Sequence, residues 1–326
     1  MEMTRRPRRL RNSENIRNLI HEYEVGLSDL VYPVFVMEGE GVKEEIPSMP
    51  GIYHYSLDTL AEHMKDVWDL GIRAVLFFGI PDHKDEAGSE AYRCDGIVQR
   101  AIRQTKETYP EMICIADICL CEYTSHGHCG VIKDGKILND ETLELLSKTA
   151  LSCAKAGVDI VAPSDMMDGR IGHIRKTLDE NGYEDVLIMA YSIKYASAFY
   201  GPFREAAHSA PAFGDRKTYQ MDWRNKKDAL VEAGLDVEEG ADILMVKPAL
   251  AYLDVVAMIA ENYPLPICTY SVSGEYSMMK AAAQNGWIDE EKEVMESMTA
   301  MKRAGAKILI TYYALDIARW LKQSQD

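Results

Sequence analysis

The sequence has no apolar run approaching the ~20 residues of a helical membrane span, which argues against a membrane partner. No Gly-x-Gly-x-x-Gly follows any of its apolar runs, so a dinucleotide-binding open sheet lacks its phosphate-cradling turn. No low-complexity linker divides the chain. Positive charge is scarce, with 36 Lys and Arg against 52 Asp and Glu and a net charge of −16. So acidic a chain is a poor ligand for nucleic acid or an anionic membrane, although a local basic pocket for a small anion is compatible with it. The basic stretch 1–10 has no apolar segment after it and does not read as a secretory leader; the expected location is the cytoplasm. The seven cysteines are an odd number. In a reducing compartment they read as core residues, metal ligands or reactive thiols rather than a disulfide framework.

What is present is a rhythm. Of 326 residues, 47% are hydrophobic and 27% charged, the proportions of a globular protein. Short, near-continuously apolar runs fall at 29–36, 74–78, 113–117, 159–162, 186–190, 242–246, 266–270 and 307–311. Such runs suit parallel strands buried on both faces. Amphipathic stretches lie between them, including one opening at Ser56 as a capping residue, one at Asp140 and one over 290–303. Four joints share one form, a helix end, a glycine (Gly71, Gly157, Gly240, Gly305) and then a strand. Glycine fits where a chain leaves a helix in the left-handed conformation. Repeated βα units of this number predict an α/β fold, a (β/α)8 TIM barrel of residues 29–326. Residues 1–28 read as an N-terminal arm that packs on a neighbouring subunit, with a disordered tail as the other reading.

Barrels carry their chemistry at the C-terminal ends of the strands. There lie Asp117, Cys119 and Cys121; Ser164, Asp165 and Asp168; Tyr191 and Lys194; Lys247; Tyr270 and Ser273; and Tyr312. Cys119 and Cys121 are two apart, so in an extended segment their thiolates point the same way, and Cys129 can return over a glycine-bearing loop. Three thiolates suit Zn²⁺ and leave its fourth position open for catalysis or substrate. His126 and His128 are alternative fourth ligands, or outer-shell or substrate-polarising groups. Cys94, Cys114, Cys153 and Cys268 are expected to be packing residues. Lys247 emerges from an apolar strand and Lys194 from its neighbour, so burial and mutual repulsion favour neutral amines, the Schiff-base nucleophiles of ketone chemistry. A single such lysine is more often a phosphate or carboxylate clamp; two on adjacent strands beside three thiolates favour the amine chemistry. The insertion 198–222 mixes glycine, proline, aromatic and basic residues. It reads as a mobile lid whose Arg204 and Arg216 could grip a carboxylate, or as a surface loop.

Four stretches together carry a resemblance: Asp117-Ile-Cys-Leu-Cys-Glu-Tyr-Thr-Ser-His-Gly-His-Cys129, Val161-Ala-Pro-Ser-Asp-Met-Met-Asp-Gly-Arg170, Met245-Val-Lys-Pro248 and Tyr270-Ser-Val-Ser-Gly-Glu-Tyr276. From about Arg6 to Arg319 the chain resembles the porphobilinogen synthase (5-aminolaevulinate dehydratase) family, in its zinc-dependent branch. The resemblance implies a lyase of tetrapyrrole (haem) biosynthesis that condenses two 5-aminolaevulinate molecules to porphobilinogen with loss of two waters. It implies Schiff bases at Lys247 for the first substrate and Lys194 for the second, with Asp117 as a proton-transfer partner. Ser273 and Tyr312 would hold the first carboxylate, and Arg204, Arg216 and Gln220 the second. Cys119, Cys121 and Cys129 would hold zinc. Glu232 falls where some members bind a regulatory Mg²⁺, though a solvated helix glutamate is an equal reading. A homo-oligomer, by preference an octamer, is implied by the family and the arm. Two other functions compete on the residues alone: a class I aldolase-like barrel, which leaves three thiolates unexplained, and a zinc or redox sensor on an inert barrel.

Overall fold

The eight apolar runs all form strands, and hydrogen bonding between the last and the first closes them into a ring. The computed structural model describes residues 4–323. In chain order the strands are β1 (Leu30–Met37), β2 (Lys43–Glu45), β3 (Tyr53–Tyr55), β4 (Ala74–Ile80), β5 (Ile113–Ile118), β6 (Val131–Lys133), β7 (Lys136–Leu138), β8 (Ile160–Pro163), β9 (Leu187–Lys194), β10 (Ile243–Lys247), β11 (Ile267–Ser271) and β12 (Ile308–Thr311). The helices are α1 (Glu14–Ile20), α2 (Leu57–Asp69), α3 (Ile97–Thr108), α4 (Asn139–Lys155), α5 (Arg170–Glu180), α6 (Gly201–Ala206), α7 (Asp228–Glu238), α8 (Leu253–Asn262), α9 (Ser273–Gln284), α10 (Glu290–Arg303) and α11 (Ala314–Gln323). Strands β1, β4, β5, β8, β9, β10, β11 and β12 pair in parallel, each with the next, and Leu30 pairs with Leu309 and Val31 with Ile310 to close the barrel. Closure leaves none of these eight strands at an edge, and helices cover the outside. The fold class is therefore the (β/α)8 barrel.

The seam between last and first strand is locked electrostatically. Buried Asp29 accepts from the Gly26 N–H at 2.9 Å and pairs with Lys302 and, at 3.3 Å, with Lys307. Burial alone would raise its carboxyl, but Lys302, Gly26 and Lys307 outweigh it and hold it below the ordinary value. The glycine joints are as expected. Gly71, Gly157, Gly240 and Gly305 have φ of 92°, 95°, 100° and 114°, a region costly for any residue with a Cβ.

Three features depart from the sequence reading. The β2–β3 hairpin lies inside a segment with no strand signal. Its β3 extends the parallel edge of β1 toward the barrel mouth, with Phe35 opposite His54 and Val36 opposite Tyr55. Ser56 precedes α2 but does not cap it; its hydroxyl accepts from the Val42 N–H and donates to Asp58, both at short range, stapling the hairpin to the helix. Cys94 is exposed rather than packed, whereas Cys114, Cys153 and Cys268 are buried. In the N-terminal segment, α1 and the short 3-10 turn Pro7–Arg11 bury no residue against the barrel; Leu10, Leu19, Ile20 and Tyr23 stand exposed, and burial begins at Val25.

Candidate active site

Lys194 and Lys247 are the terminal residues of β9 and β10, and they are direct register partners. Parallel pairing therefore delivers both side chains to one level of the barrel mouth. Each is about 95% buried. Lys247 Nζ sits among four aromatic faces: Tyr270 at 4.2 Å, Tyr191 at 5.0 Å, Phe203 at 5.1 Å and Tyr200 at 5.4 Å. Lys194 Nζ lies 5.5 Å from the same Tyr191 ring and donates to the Ser164 carbonyl. Burial first and the Lys194 charge second push Lys247 down from the ordinary lysine range; Asp117, Glu122 and Cys121 pull it back, leaving it at about 7.

Asp117 stands in β5 with its Oδ2 accepting from Ser164 Oγ at 2.9 Å. Its other oxygen has no partner among the described residues. Burial, and then Glu122, raise its carboxyl to about 7 despite the two lysines. Burial thus moves the acid up and the amine down toward the same range near neutrality.

The three sulfurs of Cys119, Cys121 and Cys129 lie within 4.8 Å of one another, all buried, and those of Cys119 and Cys121 are 3.4 Å apart. Bonds of ~2.3 Å in a tetrahedral zinc site separate sulfurs by ~3.8 Å, so the cluster fits a metal with little rearrangement. Burial first raises the Cys119 thiol; bonds from Cys119 and Cys121 first lower Cys129, assisted by the Arg216 and Lys194 charges. His128 is not a member of this group. Its ring nitrogens meet Tyr219 Oη at 3.1 Å and the Phe213 carbonyl at 2.9 Å. His126 is partly exposed and contacts the Glu86 carbonyl at 3.3 Å.

The segment 198–222 covers the mouth. Its α6 brings Phe203 over Lys247, and Tyr200 Oη donates to the Lys247 carbonyl at 3.2 Å. Arg216 is buried and spends Nη2 on the carbonyls of Gly127, at 2.9 Å, and Ser209, at 2.7 Å. Three buried donors here have no partner among the described residues: Arg204 Nε, Arg216 Nε and Gln220 Nε2. Buried donors left without partners call for an explanation, and a bound anion would satisfy all three. On the Lys247 side, Tyr312 Oη lies 3.0 Å from Tyr270 Oη. Ser273 opens α9, and its Oγ accepts from the Phe203 N–H at 2.9 Å. A helix N-terminus there favours negative charge.

Glu232 is set apart from both lysines. With Asp168, Asp222 and Asp228 it lines a cavity of about 960 Å³ that residues of the segment 213–222 also line. Burial first raises its carboxyl to about 7, and Asp236, Asp168 and Asp228 add to it, against Arg170. Among the described residues, only the three cysteines bring three ligand atoms within 4.8 Å, so no such cage surrounds Glu232. Sequence reasoning missed the aromatic cage of Lys247 and the role of Ser164, which touches both Lys194 and Asp117. The only signal was their position at strand ends and in the lid.

The family described as Delta-aminolevulinic acid dehydratase matches residues 4–320. Proteins of that name from Halalkalibacterium halodurans and Bacillus subtilis are 57% and 56% identical to this chain, each match covering 98% of both sequences. A crystal structure of delta-aminolevulinic acid dehydratase (porphobilinogen synthase) from Toxoplasma gondii, in complex with its reaction product porphobilinogen, is 46% identical, superposes with a TM-score of 0.97, and is matched over 99% of this chain and 94% of that one. Deoxyribose phosphate aldolase from Aeropyrum pernix, at 10% identity and a TM-score of 0.50, shares the fold alone.

Proposed function

The chain belongs to the delta-aminolevulinic acid dehydratase family and is a lyase of porphobilinogen synthesis, and we propose that Lys247 and Lys194 carry the reaction as paired Schiff-base nucleophiles. Their register partnership, with both side chains buried against the same Tyr191 ring, is the observation that carries this reading. Two 5-aminolaevulinate molecules lose two waters to give the pyrrole, and each imine formed from a ketone and an amine releases one water on the way.

The Lys247 amine, neutral above about pH 7, attacks the keto carbon of the first substrate. The four surrounding rings offer their negative faces to the iminium cation that forms. That cation is the electron sink for removing a neighbouring proton, and Asp117, near neutrality and oriented by Ser164, takes and returns protons at its free oxygen. Lys194 holds the second substrate in the same way. Ser273 and Tyr312 bind the first carboxylate, while Arg204, Arg216 and Gln220 bind the second with their unpaired donors. Cys119, Cys121 and Cys129 would hold a zinc ion, which would supply Lewis-acid chemistry there. The lid, over 198–222, keeps out water that would hydrolyse the imines.

Three further proposals complete the reading. Seven free cysteines fit a reducing cytoplasm. The residues before about 28, with their uncovered Leu19 and Ile20, act as an arm on a neighbouring subunit of an octamer. A regulatory magnesium would be held through Glu232 with water filling its remaining positions. The test of the central reading is product formation: purified protein given 5-aminolaevulinate should yield a pyrrole positive with Ehrlich reagent, carry bound zinc, and lose product formation in Lys247→Met while keeping its fold. A folded, zinc-loaded Lys247→Met that still makes pyrrole would reject it.

A further inference from the structure

The lid turns sharply just after α6. The last carbonyls of a helix have no partner within it and must find one elsewhere. Here two side chains from distant parts of the chain bond one carbonyl at the helix end and one just past it. His54, buried on β3, donates from Nε2 to the Ala206 carbonyl at 2.6 Å. Lys84, in the loop after β4, donates from Nζ to the His208 carbonyl at 2.7 Å. His208 takes the left-handed conformation, with φ of 47°, which only surrounding contacts can hold in a non-glycine residue. Its ring stands edge-on to His54, with centroids 5.5 Å apart at 71°.

The inner side of the same turn is tied to the cysteine loop. The Ala212 N–H donates to the His126 carbonyl at 2.9 Å, and Arg216 donates to the Gly127 and Ser209 carbonyls. Gly127 is held at φ of 68°, and a Cβ there would collide with the Ala210 carbonyl. Both Arg216 bonds leave from Nη2, so Arg216 is anchored to backbone while its Nε stays unpaired for a substrate carboxylate. His54 and Lys84 hold the turn from its other side.

We propose that His54 and Lys84 are positioning residues that latch the turn 206–209, keeping the lid seated so that the unpaired donor of Arg216 is held toward the second substrate. This deepens the reading of 198–222 as a lid and of Arg216 as a carboxylate ligand, and rests on it. Neither residue touches the reacting atoms. Both act through the lid, so their loss should weaken retention of substrate rather than chemistry.

The test uses Lys84→Met, which keeps the aliphatic stem, His54→Phe, which keeps a ring against Phe35 and His208, and Lys84→Arg, which keeps a charged donor. A lost bond from a charged donor is expected to raise KM about tenfold in Lys84→Met with kcat within about twofold. Tryptic cleavage after Arg216 and Lys217 should speed up by a similar factor, with the melting temperature nearly unchanged. His54→Phe should do the same more weakly, and Lys84→Arg should restore both readouts. Unchanged KM and unchanged lid cleavage in the active Lys84→Met and His54→Phe enzymes overturn the latch while leaving the lid reading intact. So does a fall in kcat with neither of those moved. If the wild-type enzyme makes no pyrrole, the function fails instead, and cleavage of the lid still judges the latch.

Discussion

Lys194 and Lys247 are opposite one another across two neighbouring parallel strands, and both reach the ring of Tyr191, at 5.5 and 5.0 Å. Two primary amines so placed cannot both carry charge without cost, since burial removes the water that would screen them. The lowering of Lys247 to about 7 follows from burial first and from Lys194 second.

The sign of the pH dependence follows. Below about pH 7 Lys247 holds a proton and cannot attack a ketone, so kcat/KM should fall tenfold per pH unit on the acid side. In Lys194→Met one positive neighbour is gone, and the pH dependence of borohydride trapping at Lys247 should shift upward. A downward shift would contradict the repulsion.

In the proposed mechanism the unpaired donors of Arg204, Arg216 and Gln220 bind the second carboxylate. Arg204→Met or Gln220→Leu should raise KM for substrate about ten- to hundredfold, the cost of about 1.5–3 kcal/mol for a bond to a charged group. Steady-state kinetics with circular dichroism as the control for folding checks this. Arg216→Met should cost more, because the Gly127 and Ser209 carbonyls also lose their donor.

Removing the metal should separate the two halves of the reaction. Cys129→Ala should lose bound zinc and reduce pyrrole formation on the order of a hundredfold or more. Trapping of one substrate at Lys247 should survive, because that step uses the amine and its cage. Elemental analysis and adduct mass measured on one sample decide it.

The barrel's joints give a prediction about stability. Gly157 and Gly305 are both left-handed, but a Cβ on Gly305 would also strike the Ala260 side chain, whereas one on Gly157 meets nothing closer than 4.0 Å. Gly157→Ala should cost about 1 kcal/mol from strain alone, and Gly305→Ala more, about 2–3 kcal/mol, by urea unfolding. Equal losses would mean the contact relaxes freely.

The barrel strands, the glycine joints, the cysteine cluster and the two lysines were legible in the sequence because each is written locally, as an apolar run, a recurrent joint or a residue type at a run's end. The cage around Lys247 was not, since its rings come from positions 191, 200, 203 and 270 and meet only when the barrel closes and the lid folds down. His54 is equally illegible: its partner carbonyl lies 152 residues away, and it rides on a three-residue strand without a pattern. Ser56 and Cys94 show the opposite failure, in which a sound local preference gave way to a nearby partner or to the surface.

The most direct measurement is the mass of the chain after reduction with borohydride in the presence of 5-aminolaevulinate, followed by peptide mapping. The account predicts covalent substrate on Lys247 and, at higher substrate concentration, on Lys194, with none on exposed lysines such as Lys176. An active enzyme that emerges unmodified, or that is labelled only on its surface, would contradict it.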